Sequence, residues 1–258
     1  MANPYYSPGE QRTAKVQELF ARIAPRYDLI NDLQSFGLHR YWKRKVISMA
    51  RPTRGEYGLD VCCGTGDLTF AFAGRGIHAV GLDFSGAMLQ VAGHRAHRRA
   101  EKGHRLEPAA GHAASQGARE TPLFVRADAQ RIPFRDNSFD IVSVGYGLRN
   151  LADWKTGLAE LHRLLRRGGR LLVLDFGKPD NAVWRSLYFS YLRLFVPILG
   201  RTFCGSADAY AYILESLRHY PAQHGVAAVM RDLGFTRVGI VTFLGGVMTI
   251  NYGEKPPS

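Results

Sequence analysis

Cysteine is nearly absent. Cys62, Cys63 and Cys204 are the three among 258 residues, too few for a disulfide framework and without the spacing or companions of a zinc site. Nor is there an uninterrupted apolar run of about eighteen residues, the length a spanning helix requires. Residues 1–6 lack the apolar core of a signal peptide, so the sequence predicts a cytoplasmic protein whose membrane contact, at the inner face, is peripheral. Acids are short relative to bases, 22 Asp and Glu against 34 Lys and Arg, giving a net charge of +12. That excess suits nucleic acid or an acidic membrane face, and composition alone does not choose between them. His94, His97, His104 and His112 have no fixed company of Cys or paired acids, so no metal is expected.

What is present is apolar residues, 46% of the chain, ample for one core and for a single domain spanning 1–258. Residues 1–54 read as a helical cap, and 103–121, rich in Gly, Ala, His and Arg without an apolar period, as a surface insertion. Two basic clusters stand out, one from Arg40 to Arg54 and one from Arg95 to Arg105. Each is equally readable as a solvated helix face.

The most informative stretch is Tyr57-Gly58-Leu59-Asp60-Val61-Cys62-Cys63-Gly64-Thr65-Gly66-Asp67, an apolar strand running into a glycine turn and then a helix. Glycines there let backbone pass close to a ligand, and Asp67 suits a helix start whose amide donors face the turn. A second apolar strand ends in Asp83, where an α/β sheet presents a carboxylate to a ribose diol. Thr69 stands where a dinucleotide fingerprint has its third glycine, which argues for an adenosine without a pyrophosphate. S-adenosylmethionine is the ligand that fits.

The remaining pattern alternates. Helices are expected over 10–20 and from 25 to about 50 with a break at Gly37, strands over 56–61, 77–82, 123–128, 139–144 and 170–175, and helices over 67–73, 85–100 and 153–166. The last of these should stop at Gly168-Gly169 in a left-handed turn. Helices over 184–199, 207–218 and 223–233 and a strand pair, 235–243 with 247–252, close the chain. The expected fold is α/β, a doubly wound, mostly parallel seven-stranded sheet of Rossmann-like type behind an N-terminal helical cap.

Five segments together resemble the S-adenosylmethionine-dependent C-methyltransferases of menaquinone and ubiquinone biosynthesis, class I methyltransferases. They are 27–44, 59–67, Gly145-Tyr146-Gly147-Leu148-Arg149-Asn150, 167–176 and 207–216. Generic methyltransferases share the second and fourth; the first, third and fifth separate this family from them. The resemblance implies C-methylation of a reduced prenylated quinone, demethylmenaquinol or the equivalent benzoquinol. It implies cofactor contacts from Asp60, Gly64, Thr65, Gly66, Asp83, Phe84, Asp128, Ala129 and Gly145, the last standing where a serine is common, and substrate contacts from Tyr27, His39 and Tyr146. Asp128 with the amide of Ala129 would bracket the adenine, although Asp128 also reads as a strand-end cap.

A ring carbon becomes nucleophilic when a neighbouring phenol oxygen loses its proton. Arg149 and Asn150 are the candidate catalytic residues for holding that oxygen, with a water between Arg149 and a carboxylate to take the proton; Arg149 is nearly as readable as pairing with an acid to fix the loop. Tyr27, His39 and Trp42 are readable as helix packing as well as cover over the cofactor. Residues 184–195, with Trp184, Tyr188, Phe189, Tyr191, Leu192, Leu194 and Phe195 accompanied by Arg185 and Arg193, read as a membrane-docking helix, a buried helix or a homodimer contact. Against a nucleic-acid methyltransferase stands the absence of an Asn/Asp-Pro-Pro-aromatic box after the fourth strand, so no nucleic-acid partner is expected. A binding-only dinucleotide module lacks its third glycine. Another small-molecule acceptor is the runner-up.

Overall fold

A computed structural model describes residues 24, 27, 31, 32, 35–104, 121–204 and 208–257. The helix expected over 10–20 and nearly all of the insertion lie outside these residues. Helix α1 (Leu38–Ala50) follows Gly37, whose left-handed φ of 74° makes the expected break. Then come β1 (Tyr57–Val61), α2 (Asp67–Ala73), β2 (His78–Asp83), α3 (Gly86–His104), β3 (Leu123–Arg126) and β4 (Phe139–Gly145). A 3-10 turn at Leu148–Asn150 leads to α4 (Trp154–Leu164), β5 (Leu165–Phe176), α5 (Ala182–Cys204), α6 (Asp208–His219), α7 (Ala222–Asp232), β6 (Thr236–Phe243) and β7 (Met248–Glu254).

Seven strands form one sheet in the order β3-β2-β1-β4-β5-β7-β6. β1 pairs in parallel with β2 on one side and β4 on the other, whereas β7 runs antiparallel between β5 and β6. The winding therefore reverses between β1 and β4, and a crevice opens beyond their carboxyl ends. Both faces of the sheet are covered, which is why the central strands are apolar without alternation. On one face Leu59, Val142, Leu171, Leu158 of α4 and Val226 of α7 share a core. On the other, Ile141, Leu172 and Ile250 pack against Trp42 and Val46 of α1 and Phe72 of α2.

The double glycine does not stop α4. That helix ends at Leu164, and Leu165 is already extended. The last carbonyls are met instead by the Lys255 ammonium, which donates to His162 O at 2.9 Å and Leu165 O at 2.8 Å, a cation at the negative helix end. Gly168, at φ 76°, lies within β5 and bonds Lys255 O through its N–H. The left-handed residue was legible; the use of it in an irregular strand, set by the chain's far end, was not.

The aromatic helix α5 is amphipathic in a different sense from the docking reading. Tyr188 and Leu192 are buried against Leu217, with Phe176 and Val247 at the edge of the cluster, while Val183, Trp184, Leu187 and Leu194 remain exposed.

Phe72→Ala, in the α2 core, should cost about 3–5 kcal/mol in urea unfolding. Leu123→Ala, 66% exposed on edge strand β3, should stay within about 0.5 kcal/mol.

Candidate active site

Beyond the carboxyl ends of β1, β2 and β4 lies a cleft of about 790 Å³, its open mouth included. Its floor is a strained turn. Cys62 (φ 55°), Gly64 (φ 55°) and Gly66 (φ 85°) are all left-handed, and Tyr146 across the cleft has φ 61°. Glycine takes this conformation freely, whereas each non-glycine residue pays of order 1–2 kcal/mol; such strain concentrates at binding sites. The main chain beyond β4 comes so close that a Cβ on Gly147 would sit 2.6 Å from Cys62 Sγ.

Asp83 binds this turn to the next helix. One carboxylate oxygen accepts Gly64 N–H and the other Ser85 N–H, both at 2.8 Å. Burial pushes its carboxyl above the ordinary range, against these backbone donors and that of Phe84. A carboxylate has about four acceptor sites, so capacity remains for a hydroxyl of a bound ribose. Asp128 lines the same cleft and accepts Gln130 N–H at 2.9 Å, so it caps its turn and faces the ligand space at once. With Leu82, Met88 and Ala129 as apolar wall, the donor set fits a nucleoside better than a phosphate.

Of the expected site residues, Tyr27, Gly64, Asp83, Phe84, Asp128, Ala129, Gly145, Tyr146 and Asn150 all line this cleft. Asp60, Thr65, Gly66, His39 and Arg149 do not. Asp60 lies beneath the turn, 2% exposed, where it accepts from Thr69 N–H, Thr69 Oγ1 and Ser143 Oγ. Burial raises its carboxyl to about 6 despite those donors. Thr65 is also buried, and Gly66 backs onto Phe70 and Phe124. His39 bonds Asp32 at 2.7 Å and faces a separate basic groove. Trp42 packs in the core against Phe243.

Arg149 adopts the loop-fixing alternative. Its guanidinium donates to Asp175 Oδ1 at 2.5 Å and to Tyr146 O at 2.9 Å and lies over the Phe176 ring. The two charged side chains are 5% and 3% exposed. Asn150, beside it, donates to Tyr146 O at 3.2 Å and lines the cleft. Around the ion pair stand tyrosines whose burial raises their phenol pKa values: Tyr146, Tyr188 and Tyr220. The hydroxyls of Tyr146 and Tyr188 are buried with no hydrogen-bond partner among the described residues.

Sequence reasoning passed over Ser85, Met88, Gln130 and Leu151, which also line the cleft. Gln130 carried a signal, two residues past Asp128: its side-chain oxygen accepts Asp153 N–H at 2.8 Å, joining the β3 arm to the start of α4.

The model of the ubiE/COQ5 methyltransferase family matches residues 9–255. The chain is 37% identical to the ubiquinone/menaquinone biosynthesis C-methyltransferase UbiE of Azotobacter vinelandii, over 96% of this chain and 93% of that one. It is 39% identical to UbiE of Ectopseudomonas mendocina, over 96% and 92%. Among solved structures it is similar to a SAM-dependent methyltransferase from Aquifex aeolicus, with a TM-score of 0.54 and 16% identity over 82% of this chain and 88% of that one. It is also similar to phosphoethanolamine N-methyltransferase 2 of Haemonchus contortus bound to S-adenosyl-L-methionine, with a TM-score of 0.57 and 15% identity over 84% of this chain and 52% of that one. At these identities the structural likeness is one of fold.

Two outcomes follow from the geometry. A hydroxyl is held best by ionised Asp83, so calorimetric affinity for S-adenosylhomocysteine should be full above the raised Asp83 pKa and fall as pH drops through it, at a higher pH than an ordinary aspartate with pKa about 3.9 would set. Asp83→Asn should weaken binding roughly tenfold or more and flatten that dependence. Arg149→Ala or Asp175→Ala alone leaves a buried charge unpaired and should cost about 3–5 kcal/mol in denaturant unfolding, whereas the double variant Arg149→Met with Asp175→Leu should recover most of it.

Proposed function

The chain belongs to the ubiE/COQ5 methyltransferase family and is an S-adenosylmethionine-dependent C-methyltransferase of quinone biosynthesis; from that premise we propose that its acceptor is a reduced prenylated quinone, demethylmenaquinol or the corresponding benzoquinol, methylated on a ring carbon. The observation that carries this reading is the pocket beyond β4. Tyr146 and Asn150 line the cleft, beside them is a desolvated ion pair, and the buried Tyr146 hydroxyl has no hydrogen-bond partner among the described residues. Leaving a buried hydroxyl unpaired costs about 1–3 kcal/mol, a cost that an acceptor bearing ring oxygens would relieve.

S-adenosylmethionine supplies an electrophilic methyl group on a sulfonium. The chain's own part is to hold the acceptor in line and to favour its oxygen as a phenolate. Because burial raises the Tyr146 phenol, it stays protonated and donates a hydrogen bond rather than taking a proton. The Asn150 amide is placed to do the same, and the Arg149–Asp175 pair fixes the loop that carries both groups. Arg149 is a positioning residue on this account, since its donors go to Asp175 and Tyr146 O. Aromatic walls from Tyr27 and Tyr146 suit a flat ring and keep water away. The expected tail dissolves in a bilayer, so the reading also places the enzyme at a membrane surface.

The test is a labelled-methyl assay offering reduced naphthoquinone and benzoquinone acceptors side by side, with fragmentation of the product. Transfer to ring carbon of either one is expected and identifies the pathway step. Methyl on oxygen, or turnover of neither, would overturn the reading in favour of another small-molecule acceptor. Tyr146→Phe should raise the acceptor KM or lower kcat by roughly tenfold, with S-adenosylhomocysteine affinity unchanged.

A further inference from the structure

Helix α1 separates two unusual surfaces. Along its inner side runs an open groove lined by Arg40, Lys43, Arg44, Arg75 and Arg95, with Asp67 the one acid in the lining. Asp67 is shared, held by Lys43 at 2.8 Å and Arg95 at 2.6 Å. Arg44 and Arg75 have no acidic partner among the described residues. The groove therefore carries positive charge beyond what its own acids neutralise, and the buried His39 ring that lines it has a nitrogen, Nδ1, without a partner among the described residues.

On the outer side is an apolar ridge. Leu38 and Tyr41, three apart on α1, share a helix face and are 37% and 47% exposed, and Phe36 just before them is 84% exposed. Tyr41 packs edge-on against Phe243 at 5.9 Å. The next residue, Leu244, is 53% exposed at the tip of the β6–β7 turn and accepts the Trp184 indole N–H at 2.9 Å. From Trp184 the ridge continues along α5 through Val183 and Leu187, 72% and 57% exposed. Large contiguous apolar surface of this kind marks a contact face.

The ridge also opens at the edge of the sheet that holds the active site. Phe243 is paired with Met248, and Met248 with Phe176, whose ring lies 5.9 Å from Tyr146 at the cleft. One strand pair thus separates the acceptor pocket from the ridge.

We propose that this face docks on an anionic phospholipid surface, with lipid phosphates seated at Arg44 and Arg75, since Arg40 is already paired with Asp32, and the Phe36, Tyr41, Leu244 and Leu187 side chains set into the headgroup boundary. Charge complementarity and the pairing of a basic strip with an apolar one select a lipid surface over a second copy of this chain, which would bring like charges together. The inference rests on the lipid-tailed acceptor of the preceding section. Of the residues the sequence offered for docking, it keeps the exposed Trp184 and leaves out Tyr188 and Leu192, both buried.

The experiment is flotation of the full chain with vesicles of pure phosphatidylcholine and with an equal mixture of phosphatidylcholine and phosphatidylglycerol. Binding to the mixed vesicles alone, weakened by salt, is expected. Arg44→Glu with Arg75→Glu should reduce it by roughly tenfold or more, and Phe36→Asp with Leu244→Asp comparably, with circular dichroism and methyl transfer to a tail-less quinol unchanged in both pairs. Equal binding to neutral vesicles, binding indifferent to both pairs, a dimer in sedimentation that the ridge pair dissolves, or selective capture of RNA by the groove would each overturn the proposal. Failure of the unsubstituted chain to bind either vesicle, with tail-less turnover intact, removes the surface alone; vesicle binding without transfer to any quinol removes the functional reading and leaves the surface.

Discussion

A single carboxylate organises the donor side of this enzyme. Asp83 sits at the end of β2 and takes the Gly64 N–H from the turn after β1 and the Ser85 N–H at the start of α3, so the ends of neighbouring parallel strands are fixed relative to each other. The turn it grips runs through left-handed residues that would otherwise relax, and behind the turn Asp60 ties α2 to β4 through Thr69 and Ser143. Cleft shape, strain and the remaining acceptor capacity for a ribose hydroxyl all depend on Asp83 being in place and ionised. Its burial makes that ionisation costly, which is the condition under which an incoming hydroxyl gains most from meeting it.

The acceptor side is organised differently. Here a buried Arg149–Asp175 pair links the loop after β4 to the end of β5, and the aromatic rings gather round it. Ion pairs so deeply desolvated give little net stability. What this one provides is a fixed loop at the edge of the cleft, with Arg149 and Asn150 both donating to Tyr146 O. A second cation works at a distance: Lys43 of α1, anchored on Asp67, lowers the phenol of Tyr27 against the larger effect of burial, so the helical cap and the cleft are electrostatically connected.

Much of this was legible in the chain, and the reason is locality. The strand-to-glycine turn, the strand-end acid at 83 and the helix at 67–73 are encoded by neighbours in sequence, and the structure has α2 at Asp67–Ala73. What sequence could not reveal were partnerships across long separations. Arg149 finds its acid 26 residues away because β4 and β5 are adjacent. Lys255 stops a helix that ends at Leu164. Asp60 looked like a ligand contact because it stands in the motif, yet strand alternation turns it under the turn, toward Ser143. The helix of Tyr188 and Leu192 read equally as docking surface, buried helix or dimer contact because a helix rich in aromatics does not reveal which of its faces meets α6.

The order of the strands divides the pocket along the polypeptide. In the cleft lining, Gly64, Asp83, Phe84, Asp128 and Ala129 come from the ends of β1, β2 and β3, before residue 131, while Gly145, Tyr146 and Asn150 follow β4. Because the winding reverses between β1 and β4, these two contributions face each other yet share few covalent neighbours. Changes accumulating after residue 144 can therefore remodel one wall of the cleft while the opposite wall, around Asp83, keeps its shape.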